Sequence, residues 1–286
     1  MNPGDLVGSY RVIGAYPHDG YRALDLTDCT RVHLEVSPAG DWRERAIQLL
    51  RAASIVGSLD HPGVAHIHGR GVLPDRRPWV ASELAEGVPL CEVLARRALS
   101  VEEAIALVRD LAEIAAHVHA RGLLHGAIRP HLIVLRTGEK PFPIQLGGWG
   151  DVRSAGAVDA LSSPLTAYTA PELAGVSASI DGRADVYAIG AIVYRGLTGR
   201  FPGMLPPELV PGVPGPVSAL VVRMLALEPA QRMTSLEALG AATKLSGDRV
   251  LSGPRFARPR WTPAPLPDGE RVANVIDFAA ARRDRS

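Results

Sequence analysis

The sequence predicts an α+β protein built as two lobes, a small β-rich one followed by a larger helical one. Three observations carry this. Short segments rich in β-branched and aromatic residues crowd the first 85 positions. Helical periodicity takes over from about residue 88. The 286-residue length suits one large domain or two modest lobes and is ample for a buried core. The expected division is residues 1–85, residues 86–247 and a tail over residues 248–286.

In the first lobe, residues 10–16, 21–27 and 31–37 read as strands separated by Gly- and Asp-containing turns. Residues 42–59 read as a helix, with Ile47, Leu49, Leu50, Ala53 and Ile55 at helical spacing. Residues 61–73 and 78–84 supply two more strands, which makes a five-stranded sheet with one helix. In the second lobe, residues 90–98 form a short helix. Ser100 then starts a long one, because Ser100 and Glu103 form a capping box ahead of an apolar stripe from Ala104 to Val118. Residues 131–138 and 143–150 read as a strand pair, and 151–169 as a loop. The segment 184–199 is apolar nearly all round, so it predicts a buried helix. Residues 217–229 and 235–245 are further amphipathic helices. The Pro- and Arg-rich tail predicts extended chain ending in a short basic helix.

Composition narrows the function classes. The net charge of +1 gives no overall bias toward nucleic acid or membrane. Cys29 and Cys91 are far apart and predict reduced thiols rather than a metal site. The N-terminus has no basic region followed by an apolar run, and no stretch reaches the length of a membrane span. These features predict a cytoplasmic protein. The pairs His66/His68 and His117/His119 lack Cys, Asp or Glu partners at ligand spacing. The only lysines are Lys140 and Lys244, so the first lobe has none.

Several landmarks occur in a meaningful order: His61-Pro62-Gly63-Val64, then Ser82-Glu83-Leu84 with Glu86-Gly87, then residues 125–135 beginning His125-Gly126-Ala127. Ala170-Pro171-Glu172, Asp185 to Gly190 and Glu228 to Arg232 follow. Over roughly residues 8–246 the chain resembles the bacterial, actinobacterial-type, eukaryotic-like Ser/Thr protein kinases. The resemblance implies the bilobal protein-kinase-like fold. It also implies bracing roles for His125, Trp149, Glu172, Asp185 and Arg232, with Glu172 and Arg232 as an ion pair.

Kinases transfer a phosphoryl group by cradling phosphates, holding metal and orienting the acceptor hydroxyl. Here the residues at those places differ from the family pattern. The Gly-rich loop is replaced by a segment from Gly14 to Gly20 that contains Pro17, which has no amide donor. The Val-Ala-Ile-Lys strand reads Val32-His33-Leu34-Glu35, and an Arg51–Glu35 pair is a candidate replacement for the family's Lys–Glu pair. Ala127 stands for the base aspartate, Leu132 for the metal-binding asparagine, and Gly148-Trp149-Gly150 for Asp-Phe-Gly. Arg129 sits where the loop lysine would be.

These departures predict a pseudokinase: not an enzyme, with no cofactor and no metal, working as a regulatory or scaffolding protein-binding module. Two alternatives accompany this. One is rearranged phosphotransfer or nucleotide-binding chemistry using Asp151, Arg22, Arg31 and Arg129. The other is a phospho-regulated adaptor modified in the segment holding Ser154, Ser162, Ser163, Thr166 and Thr169, with Thr166 and Thr169 as the leading sites. The resemblance implies a true Ser/Thr kinase or a phosphothreonine-binding domain as partner.

Overall fold

Alternation of buried and exposed side chains along Tyr10–Ala15, Tyr21–Asp25 and Arg31–Val36 makes these three segments strands with one dry face. In the computed structural model, residues 1–16, 20–37, 42–138, 140–149, 152–156, 165–174, 180–203 and 212–247 are described. The first lobe holds β1 (Leu6–Val7), β2 (Tyr10–Ala15), β3 (Tyr21–Asp25), β4 (Arg31–Val36), α1 (Trp42–Val56), β5 (Ile67–Val72) and β6 (Pro78–Glu83). Its antiparallel sheet runs β1-β2-β3-β4-β6-β5. The sheet has six strands rather than the expected five, because Leu6–Val7 doubles back onto Tyr10 and Arg11. A two-residue strand carries no readable alternation. Val7, Tyr10, Val12, Val32, Leu34 and Ala81 pack a core of their own on one face. Trp79 leans edge-on against Tyr10 with ring centres 5.6 Å apart.

The second lobe comprises β7 (Gly87–Pro89), α2 (Leu90–Arg96), α3 (Val101–His119), β8 (Leu123–Leu124), β9 (Ile133–Arg136), β10 (Ile144–Leu146), β11 (Arg153–Ser154), α4 (Arg183–Thr198), α5 (Gly215–Met224) and α6 (Ser235–Gly247). The Ser100 capping box forms as read. Glu103 N–H donates to Ser100 Oγ at 3.2 Å, and Ser100 N–H donates to the Glu103 carboxylate at 2.9 Å. α3 packs against α6 and α4, and α4 is buried along most of its length. The expected β9–β10 pair gains β7 as a third strand. Part of the expected loop pairs instead, since β11 lies on β8.

The lobes are joined by more than the 84–86 connection. The loop His61–Val64 was expected to be strand, but it leaves the sheet and docks on the second lobe. Leu146 N–H donates to Gly63 O at 2.8 Å, Arg136 Nη1 donates to Pro62 O at 2.9 Å, and Val64 bridges Leu146. Gly63 is required by proximity, because a Cβ there would lie 2.7 Å from Ile114 Cδ1. His61 stacks edge-on against His117 and Phe142, with ring centres 5.1 Å and 4.9 Å away.

Two consequences for stability follow. Arg232 donates two bonds to the Glu172 carboxylate, at 2.6 Å and 3.0 Å, with both side chains essentially dry. Its remaining donors meet the carbonyls of Arg183, Ala226 and Leu227. Arg232→Met should therefore cost about 3–5 kcal/mol in urea denaturation, because it strands a buried carboxylate. Adding Glu172→Leu should recover part of that loss.

His61 gives a pH dependence. Burial, followed by the charges of His117 and Arg121, lowers its pKa to about 4. Its Nδ1 accepts from Gly63 N–H at 2.9 Å, and Glu113, 3.9 Å from Nε2, is too distant and too exposed to hold the proton. The unfolded chain binds the proton more tightly than the folded one, so stability rises with pH. That contribution is complete above about pH 6.5 and is lost as pH falls toward about 4. His61→Asn, which keeps an acceptor for Gly63, should flatten this part of a stability–pH profile.

Candidate functional site

The site begins with one buried carboxylate. Asp185, in the first turn of α4, accepts from His125 N–H and Gly126 N–H at 2.8 Å each, and bonds His119 Nε2 at 2.8 Å. Burial by itself would raise its carboxyl. The hydrogen bond from His119, the charges of His119 and His125 and the Gly126 amide outweigh burial and hold it below the ordinary carboxylate range. Asp185 thus fixes the backbone at the start of the loop that carries Ala127, Arg129 and Leu132.

His125 spans the next gap. Its Nε2 pairs with Gly147 O at 2.9 Å, and its ring packs on Trp149 at 4.4 Å between centres. Trp149 is buried, and its indole N–H donates to Leu146 O at 2.9 Å. Together these contacts hold the 147–149 segment against the 125–132 loop.

The two loops and the first lobe enclose a cavity of about 450 Å³. Glu35, His33, Ala127, Leu132 and Gly148, widely separated in sequence, all line it, as does Arg129. Its upper wall is His33 and Tyr16, whose rings lie 4.8 Å apart, with the Arg22 guanidinium 5.8 Å from the Tyr16 ring. Gly14 and Gly20 do not line it. Tyr16 N–H donates to Gly20 O at 3.1 Å, and Pro17 lies outside the described residues. Arg22 and Arg31 are exposed on the sheet, away from the lining. Arg51 is exposed and does not line the cavity that Glu35 faces. Asp151, Ser162, Ser163 and the tail lie outside the described residues.

Leu132 and Gly148 are sterically matched. Gly148 has φ of 72°, and a Cβ there would lie 2.4 Å from Leu132 Cδ2. The leucine occupies the space that a side chain at 148 would need, and the left-handed backbone adds strain for any non-glycine residue.

Thr166 and Thr169 are half-buried and engaged with one another. Thr166 N–H donates to Thr169 Oγ1 at 2.9 Å, and Tyr168 N–H donates to Thr166 Oγ1 at 3.3 Å. Tyr168 is buried, bonded by Arg195, and packs edge-on against Phe201. Ser154 is exposed on β11.

Glu83 and Gln145 line the cavity; Glu83 was read only as part of a landmark segment, and Gln145 and Arg136 were not singled out by the sequence reading. Glu83 accepts from Arg136 Nη2 at 2.7 Å and from Gln145 Nε2 at 3.1 Å, joining the end of β6 to β9 and β10. The available signal was one polar residue in each of two otherwise apolar strands, Gln145 in the middle of β10 and Arg136 at the end of β9.

Comparison with known proteins fits this architecture. The family model for the protein kinase domain matches residues 33–208, more than half of the chain, and the chain belongs to that family. Among curated proteins, the chain is 29% identical over 226 residues to the serine/threonine-protein kinase PknJ of Mycobacterium tuberculosis. That alignment takes in 70% of this chain and 37% of PknJ. It is 29% identical to PknA of the same species over 84% of this chain and 62% of PknA. It is 27% identical to Pkn1 of Myxococcus xanthus over 90% of this chain and 41% of Pkn1. The chain thus spans less than two thirds of the length of these relatives.

These comparisons support the bacterial Ser/Thr kinase resemblance and the bilobal fold. They overturn the expectation that the chain is not an enzyme, since the relatives along most of its length are named as protein kinases. That expectation equated a departure from a residue pattern with the absence of a reaction. Among the described residues no helix is long and apolar enough to cross a membrane.

The Leu132–Gly148 match gives a direct test. Gly148→Asp should lower the unfolding midpoint by several degrees, consistent with about 1–3 kcal/mol of strain and crowding. Combining it with Leu132→Ala, which removes the Cγ and both Cδ atoms that crowd position 148, should recover part of the loss in the same melting experiment.

Proposed function

We propose that the chain is a regulatory member of the Ser/Thr protein kinase family. It receives a nucleoside-type ligand in its interlobe cavity and acts on protein partners. The observation that carries this is the cavity itself, about 450 Å³ and walled by both lobes. Occupancy would bear on the arrangement of the lobes, because Glu83 both lines the cavity and holds Arg136 and Gln145 of the second lobe. Ala85, Val134 and Leu132 are among the cavity's lining residues and give apolar surface against which a flat ring could pack. Arg129 and Glu35 also line it, a cation and a carboxylate in place of a purely basic phosphate clamp.

The partner-facing segment is proposed to be residues 165–174, where Thr166 and Thr169 are the modification sites. Their hydroxyls are engaged with the local backbone, so phosphate addition would release that turn and create an anionic docking point.

A second reading is phosphoryl transfer with rearranged groups. The names of the relatives favour it, as does Arg129 at the cavity wall. It predicts incorporation of radiolabelled phosphate from ATP into protein, lost in Arg129→Ala.

Thermal unfolding with adenosine and with magnesium ATP tests the primary reading. At about 100 times the dissociation constant, binding adds about 2.7 kcal/mol, and each kcal/mol is worth about 2–4 °C at this chain size. A rise of roughly 5–10 °C is expected with at least one of the two. No shift with either would overturn the reading.

A further inference from the structure

We propose that the outward part of the first lobe's sheet, around Arg11, Arg22 and Arg31, is a docking surface for an extended polypeptide segment that interleaves acidic and aliphatic side chains. The proposal does not depend on what the interlobe cavity takes.

Strand pairing defines the face. Val12, Ala23 and Val32 lie opposite one another and are buried in the lobe's own core. Alternation turns the neighbouring row, Leu6, Arg11, Leu24 and Arg31, to the other face, where the four are cross-strand neighbours. Arg22 shares that face two residues along β3 from Leu24. Ile13 sits at the register shift beside Gly14, the partner of Arg22. Leu26 is the next outward residue after Leu24, just past the end of β3. All three arginines are exposed, and Leu6, Ile13 and Leu26 are 59%, 44% and 42% exposed.

The positive charge on this face is uncompensated. Among the described residues none of the three arginines pairs with a carboxylate. The acids of these strands and turns are engaged elsewhere. Asp25 is buried and accepts from Thr27, Asp28 accepts from Thr30 N–H, Asp5 accepts from Asn2 N–H, and Glu35 lines the cavity. Arg11 and Arg31 flank Leu24 at two strand spacings, about 10 Å, and Arg22 stands about 7 Å along the strand from Leu24. Like charges this close repel, and an incoming carboxylate relieves the repulsion while each guanidinium fork can take it with two bonds. Carboxylates two to three residues apart in an extended chain match these distances, at about 3.3 Å per residue. Aliphatic side chains between them would pack on Leu6, Ile13 and Leu26.

Two other occupants fit less well. The row Gly14, Arg22, His33 and Ser82 runs from this face into the cavity wall, which His33 and Ser82 line. A planar bilayer cannot follow a surface into a cavity mouth, whereas an extended chain can. Residues 248–286 of this chain carry eight arginines against five Asp and Glu, so their overall charge opposes docking here.

Fluorescence anisotropy of the whole chain with a short labelled peptide that interleaves Glu and Val tests this. Arg11→Gln, Arg22→Gln and Arg31→Gln together should weaken binding about ten-fold or more, the scale of three exposed charge pairs. The melting temperature should change little, because all three side chains are exposed. Ile13→Ser alone should weaken binding by a smaller factor. Raising the ionic strength from about 0.1 M to about 1 M shortens the screening range from about 10 Å to about 3 Å. That change should weaken binding to the unaltered chain and affect the triple variant much less. No binding of the peptide, equal binding by the triple variant, or equal binding of a peptide with Lys in place of Glu overturns the proposal. Vesicles containing phosphatidylserine that bind through these arginines, where the peptide does not, overturn it and assign the face to a membrane surface. A dimer in sedimentation that the triple variant abolishes overturns it and assigns the face to a second copy of the chain.

Discussion

Asp185 is the point on which the second lobe is built. A carboxylate with no access to water needs hydrogen bonds on every side, and it receives them from two consecutive backbone amides and one imidazole. The demand runs both ways. Because the amides are those of His125 and Gly126, satisfying the buried charge also fixes the loop that brings Ala127, Arg129 and Leu132 to the cavity. His119 carries the arrangement onward through Nδ1 to Ser235 at the start of α6. One acidic side chain thus couples α3, α4, α6 and the loop at the site.

A second set of contacts decides how the lobes meet. The His61–Val64 loop gives up strand pairing with its own sheet and spends its backbone groups on the second lobe. Glu83 adds a charged clasp from the end of β6 to Arg136 and Gln145. These contacts surround the connection at residues 84–86, so the cavity is bounded by parts whose positions depend on one another.

Residues of the cavity wall are fitted to one another. Leu132 fills the room that a side chain at 148 would need, and Gly148 has a backbone angle that suits glycine. His33 finds a ring partner in Tyr16 across the sheet. Such mutual fitting is what a packed interior requires, because a change of one or two heavy atoms in a dry wall must be matched by its neighbours.

The sequence by itself determined the two-lobe class, most of the helices and the Ser100 cap, because these rest on local periodicity and short-range hydrogen bonds. It also identified the landmarks Glu172, Asp185 and Arg232 by motif. It missed β1, β7, β8 and β11, whose two or three residues are too short to show alternation. It read residues 61–66 as strand, because nothing local says that a β-prone segment will bond to another lobe. Gln145 and Arg136 were visible only as polar residues in apolar strands. That they meet Glu83, some 50 to 60 positions away in sequence, was decided by the tertiary structure, since buried charge is satisfied by whatever the fold brings near.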